Sequence, residues 1–300
     1  MGRIPLGESY EYPLRVVVYN SNQQVLDDVQ RVWGGTLSSV DSRKKGWKPS
    51  HALIWTNAAA AGLLARVMPS LRVKSVQAAA LLEFHRHIRD CPRIRDSRGR
   101  LLPLPQHEQV YRAECHSRIK ALNTRGPVGG THVPARAGRG SNGDQVPSIE
   151  YLAGFLDGEG SLMINKVKPS GSQNPQYRAR IAIANTCRTV LEDLQREYGG
   201  ILFSNPRAKP GWKNLHQLIW TGGMAARRLP MVSSHLRLKR RQAVVLGGFL
   251  HHCRSTLHEP RGPRGRYPPN VIAQREAFYR KLQSLNARGL PEAQPTPART

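Results

Sequence analysis

The sequence predicts an α+β protein of two tandem domains, each an antiparallel sheet of four strands with helices on one face. Three observations carry that prediction. The chain has 300 residues, enough for roughly two domains at about 150 residues each. Residues 12–82 align without gaps to residues 177–247, with roughly 30 identities in about 70 positions, which gives the two domains one ancestry. Within each copy the hydrophobic pattern switches repeatedly between helical and strand periods.

The second copy supplies the elements in order. Residues 149–157 are apolar and helix-like, residues 161–167 alternate as a strand, residues 168–176 hold turn formers, and residues 177–184 alternate again to complete a hairpin. In that last strand Arg178 and Arg180 share one face while Ala179, Ile181 and Ile183 share the other. Thr186 is the expected cap of a helix from about residue 189 to Tyr198, with Gly199 as its stop. Residues 201–204 and 216–221 form a second hairpin around the basic loop 207–213, and the chain from Gly222, residues 240–252 and residues 272–285 are helical. Trp55 and Trp220 recur in identical strands and are expected in the core. The repeat fixes the domain limits: a first copy over 1–126, a flexible Gly, Pro and Arg-rich linker over 127–147, a second copy over 148–290 and a tail over 291–300. Counterparts of the block 148–175 fall mostly before Met1, so the first copy is expected to be truncated at its front.

Composition narrows the partners. Forty-six Lys and Arg against twenty Asp and Glu leave a net charge of +26, a self-repulsion that a phosphate-bearing partner would relieve, acidic proteins and peptides being poorer candidates by comparison. No apolar run approaches membrane-spanning length and no signal peptide opens the chain, so an intracellular setting is expected, in an organelle (chloroplast or mitochondrion) or a microbial cytoplasm. The four cysteines form no C-x-x-C pair and are expected as free thiols. His85, His87 and Cys91, like His251, His252 and Cys253, match no metal-ligand spacing and differ between copies, so no zinc is read from them.

The segment Leu152-Ala153-Gly154-Phe155-Leu156-Asp157-Gly158-Glu159-Gly160 is odd for an ordinary helix. Gly154 and Gly158 lie one turn apart on one face, each costing up to about 1 kcal/mol relative to alanine, which suits close approach of a second helix. Asp157 and Glu159 fall at the helix C-terminus, where the macrodipole disfavours negative charge and a bound cation would reverse the penalty.

This segment resembles the signature of the LAGLIDADG homing endonucleases in the form LAGF-x-DG-[DE]-G. The αββαββα order, the Asn-Thr before the second helix, the Gly-Gly after it and the L-x-L-K-x-x-Q-A stretch extend the resemblance over nearly the whole chain. It implies two domains forming a pseudo-dimer with saddle-shaped sheets, a divalent-metal site at Glu159 holding Mg²⁺, active-site lysines at Lys239 and Lys74, and a water-orienting amide at Asn185, matched by Asn20. It also implies site-specific hydrolysis of double-stranded DNA, as an intron-encoded nuclease. Arg178, Arg180, Asn165 and Arg15 are the expected contacts to bases and phosphates, joined by Lys44, Lys48, Arg207, Lys209 and Lys213 in the hairpin loops. The alternative is an impaired nucleic-acid binder of the same fold, such as a maturase acting on intron RNA, favoured by the missing first acidic helix. The uncovered Gly face predicts either a homodimer paired through residues 149–160 or a monomer with an incomplete site.

Overall fold

The computed structural model describes residues 4–6, 9–40, 49–91, 94–100, 102–123, 146–168, 174–206, 214–260, 262 and 267–287. They divide into two compact units, the first ending at Asn123 and the second opening at Val146.

The first unit begins with β1 (Ile4–Leu6) and β2 (Ser9–Glu11), an antiparallel pair of their own. There follow β3 (Arg15–Asn20), α1 (Gln23–Trp33), β4 (Thr36–Val40), β5 (Ser50–Thr56), α2 (Asn57–Val67), α3 (Ser75–Asp90) and α4 (Gln106–Asn123). Its main sheet has the order β3-β5-β4, all antiparallel. Leu14, Leu26, Leu53, Trp55, Leu64, Phe84 and Ile119 form the core, gathered from one face of that sheet and from each helix.

The second unit runs α5 (Ile149–Glu159), β6 (Gly160–Val167), β7 (Gln176–Asn185), α6 (Arg188–Tyr198), β8 (Ile201–Asn205), β9 (Leu215–Thr221), α7 (Gly222–Ser233), α8 (Arg240–Ser255) and α9 (Pro269–Asn286). Its sheet has the order β6-β7-β9-β8. Leu162 and Ile164 of β6, Ala179, Ile181 and Ile183 of β7, and Leu218 and Trp220 of β9 are all buried, the alternation that a sheet with one covered face demands. The helices close over that face. The Tyr177 hydroxyl donates to Glu276 Oε2 in α9, and Asn286 Nδ2 donates to the Leu162 carbonyl.

The expected four strands are present in the second unit, whereas the main sheet of the first has three. The reason is the block 148–175, which provides α5 and β6 and has no counterpart beside β3 among the described residues. Val18 of β3 is therefore 42% exposed, where its equivalent Ile183, flanked by β6, is fully buried.

Repetition reaches individual hydrogen bonds. Trp55 Nε1 donates to the Trp33 carbonyl at 2.9 Å and Trp220 Nε1 to the Tyr198 carbonyl at 3.1 Å, so both tryptophans are core, as their strands predict. Gly34 and Gly199 end α1 and α6 with φ of 67° and 64°, and Gly35 and Gly200 continue at 99° and 109°. A Cβ on Gly200 would stand 2.9 Å from Trp220 Nε1, and on Gly35 2.8 Å from Trp55 Cε2. The second glycine of each pair thus answers to an indole as well as to its backbone conformation. The start of α6 departs from expectation. Its N-cap is Cys187, and the polar group that turns the chain is Asn185, whose Oδ1 accepts from Cys187 N at 2.8 Å. Asn20 does the same for Asn22 N at 2.8 Å. An asparagine side chain bonding two residues on out-competes the hydroxyl of Thr186 for this turn.

Candidate active site and nucleic-acid face

Ser148 caps α5, its Oγ accepting from Tyr151 N at 3.2 Å, and Leu152, Ala153 and Leu156 anchor the helix in the core. This leaves the opposite side, with Gly154 and Gly158, exposed and with open space beyond each glycine. At its far end the helix gives way directly to β6 through Gly160. A Cβ there would lie 2.6 Å from the Leu156 carbonyl oxygen, so only glycine makes this passage.

The two acidic residues at that end do different work. Asp157 Oδ2 accepts from Arg237 N at 2.7 Å and Leu238 N at 3.1 Å, and Oδ1 accepts from Lys239 N at 2.9 Å. Three successive amides ahead of α8 thus form an anion nest at a helix N-terminus. The nest answers the dipole penalty that a carboxylate at the end of α5 incurs, and no cation is needed for Asp157. Glu159 takes no part in it and is exposed.

The nest also positions Lys239. The lysine is the residue immediately before α8, half-buried, and its Nζ donates to the Asp157 carbonyl oxygen. Burial pushes the Lys239 ammonium down from its usual pKa, against the opposing pull of the Asp157 and Glu159 carboxylates. One exposed carboxylate and one partly desolvated lysine are therefore held at the same helix end. The sequence pairs Glu159 with Lys239 only through resemblance. The clamp between them, Asp157, carries no signal of its pairing because its partners lie about eighty positions away.

In the first unit Lys74 stands at the same place before α3, but its Nζ donates to Asn123 Oδ1 at 3.3 Å, a contact to the end of α4. Asn185 and Asn20 use Oδ1 for the turns described above, which leaves their amide nitrogens for other contacts.

The uncovered face of the second sheet is polar along one diagonal. Asn165 lies directly opposite Arg178, and Met163 opposite Arg180. Arg178 is exposed and its Nη2 donates to Gln176 Oε1 at 2.9 Å; Arg180 reaches across the sheet, its Nη2 donating to Gln217 Oε1 at 3.3 Å. Gln176 and Gln217 were not picked out by sequence reasoning, although their alternation with buried neighbours puts them on this face. Arg15 is exposed on β3 opposite Thr56, as Arg180 is opposite Thr221. Lys44, Lys48, Arg207, Lys209 and Lys213 lie outside the described residues, as does nearly all of the linker 127–147 and the tail 291–300.

This paired-repeat α+β fold has solved counterparts. The fold is that of the single-chain, two-repeat LAGLIDADG homing endonucleases. The chain is similar to I-SmaMI bound to an uncleaved DNA target in the presence of calcium ions, at 14% identity and a TM-score of 0.61, with 90% of this chain and 87% of that one covered. It is also similar to the LAGLIDADG homing endonuclease I-SmaMI bound to cleaved DNA, at 13% identity and a TM-score of 0.60, covering 89% and 84%. The meganuclease I-AabMI bound to uncleaved DNA matches at 10% identity and a TM-score of 0.59, covering 89% and 88%. No family model and no curated protein matches the chain.

Proposed function

We propose that this chain is a site-specific double-stranded DNA endonuclease of homing type that uses a divalent metal. The observation that carries this reading is the junction of α5 with the turn before α8, where Asp157 fastens Lys239 close to an exposed Glu159. A hard divalent cation such as Mg²⁺ fits Glu159, an oxygen donor left outside the nest that satisfies its neighbour. When bound, such an ion neutralises charge on the phosphate and acidifies water. The chain's own part is to orient and to bind. Lys239 Nζ is tethered by one hydrogen bond and keeps protons for a phosphate oxygen, and the amide of Asn185 can orient a water. Arg178, Arg180, Asn165 and Arg15 offer donors to phosphates and to guanine edges. The test is a duplex selected from a random pool, with cleavage and binding measured side by side. Glu159→Gln should abolish metal-dependent cleavage and leave affinity within a few-fold, whereas Lys239→Ala should slow cleavage by a smaller factor. Cleavage by Glu159→Gln near the wild-type rate would overturn the assignment.

One observation supports a second reading, a catalytically impaired nucleic-acid binder of the same fold such as an RNA splicing maturase. Among the described residues of the first unit no acidic helix precedes β3. On this reading the chain should bind nucleic acid and show weak or absent double-strand cleavage. Efficient cutting of both strands by a chain that light scattering finds dimeric would instead support pairing through residues 149–160.

A further inference from the structure

The last turn of α3 and the first turn of α4 bring together three side chains that sequence spacing keeps apart. Cys91 follows α3 and closes its final turn, its N–H donating to the His87 carbonyl at 2.9 Å, so imidazole and thiol lie one turn apart on one side. Glu108, 5% exposed, enters from α4. Its Oε2 lies 2.8 Å from His87 Nε2 and its Oε1 accepts from Arg112 Nε at 2.5 Å. The imidazole nitrogen, the sulfur and a carboxylate oxygen all fall within 4.8 Å of one another.

The second unit provides an internal control. At the equivalent corner stand His252, Thr256, Val271 and Arg275, and Arg275 Nη2 closes it by donating to Thr256 Oγ1 at 3.1 Å. The fold therefore packs this corner with histidine, threonine, valine and arginine, and requires neither a thiol nor a buried acid. Their joint presence in the first unit adds two metal-ligating groups to a position where the scaffold needs none.

We propose that His87, Cys91 and Glu108 form a zinc site that ties the end of α3 to the start of α4. Mixed nitrogen, sulfur and oxygen donors suit this borderline-soft ion and not Mg²⁺. Bonds of about 2.0–2.3 Å require the three donors to close on one another modestly and to open the His87–Glu108 contact slightly. On binding, the Cys91 thiol releases its proton to solvent, and His87 Nε2 likewise gives up to solvent the proton it donates to Glu108, so that the imidazole, protonated on Nδ1 alone, presents the Nε2 lone pair. One thiolate and one carboxylate then balance the dication. Arg112 stays on the second carboxylate oxygen and fixes its direction. Cys91 is exposed, so a water completes the tetrahedron.

The experiment is titration of the full chain, kept reduced with a non-chelating reductant, with Co²⁺ alone and then with competing Zn²⁺. One equivalent should produce a thiolate-to-cobalt charge-transfer band with tetrahedral ligand-field bands, and Zn²⁺ should displace it. Cys91→Ser, at an exposed position that does not threaten the fold, should remove the charge-transfer band and weaken Zn²⁺ binding by about tenfold or more. Zn²⁺ should also raise the Tm of the wild type and not that of Cys91→Ser. Absence of the band in the wild type, or its persistence in Cys91→Ser, would overturn the proposal.

Discussion

At the residue scale, neighbouring acids are divided by their partners. Hydrogen bonds to an ionised carboxylate contribute about 1.5–3 kcal/mol each, and Asp157 makes three of them to one turn. Asp157→Ala should lower stability by about 2–4 kcal/mol in a urea melt and reduce cleavage as Lys239 loses its anchor. Glu159→Ala should leave the melt within about 0.5 kcal/mol of wild type, as an exposed position allows. Equal losses from both would mean that both carboxylates are structural. Glu276 supports a pH prediction. Hydrogen bonds from Lys166 and Tyr177 hold it down to about 2. A depressed carboxyl contributes stability that is complete above its ordinary value of 4.5 and fades as pH falls towards 2. The Tm difference between wild type and Glu276→Gln should accordingly be largest above pH 4.5 and vanish near pH 2; a difference independent of pH would show that packing, not charge, is lost. Neither relation was legible beforehand. The nine-residue signature singles out Asp157 and Glu159 together, and only the meeting of α5 with a distant turn separates them. Glu108 was missed for the same reason, since its partner His87 lies on another helix.

At the element scale, the corner joining α6 to β8 is built on a glycine that cannot be replaced cheaply. Gly200→Ala combines a positive φ with a Cβ driven against the Trp220 indole, and should cost about 2–4 kcal/mol by thermal or chemical denaturation. Gly154→Ala, with open space around it, should be neutral or slightly stabilising in the isolated chain. A loss at Gly154 as large as at Gly200 would reveal a covered helix face. Most elements of the second unit could be read from the sequence because one buried face imposes strict alternation, as in β7, where Arg178 and Arg180 alternate with the buried Tyr177, Ala179 and Ile181. The start of α6 could not, because Asn185, Thr186 and Cys187 all offer side-chain groups and only the backbone path selects Asn185. The gapless alignment carried over the strands the two copies share, but not β6, which has no counterpart beside β3 among the described residues.

At the scale of the whole molecule, charge governs binding. A net +26 with arginines on both sheets should make duplex binding steeply salt-dependent, with a log–log slope steeper than about −4. A specific duplex should remain bound at salt concentrations that release a random one. Equal affinity for both at every salt concentration would reduce the protein to a nonspecific polycation.

The three-stranded sheet of the first unit carries one more consequence, for backbone exchange with deuterated water. The Leu14 carbonyl accepts from Asn57 N, so β3 turns the amides of alternate residues toward β5 and those of Arg15, Val17 and Tyr19 away from it. On the equivalent strand β7, the matching amides of Arg180, Ala182 and Ala184 face β6. Local opening should therefore leave Arg15, Val17 and Tyr19 labelled within seconds while Arg180, Ala182 and Ala184 resist until their unit unfolds. A ligand or added segment that lays a strand along β3 would register as slowed labelling at those three positions and nowhere on β7.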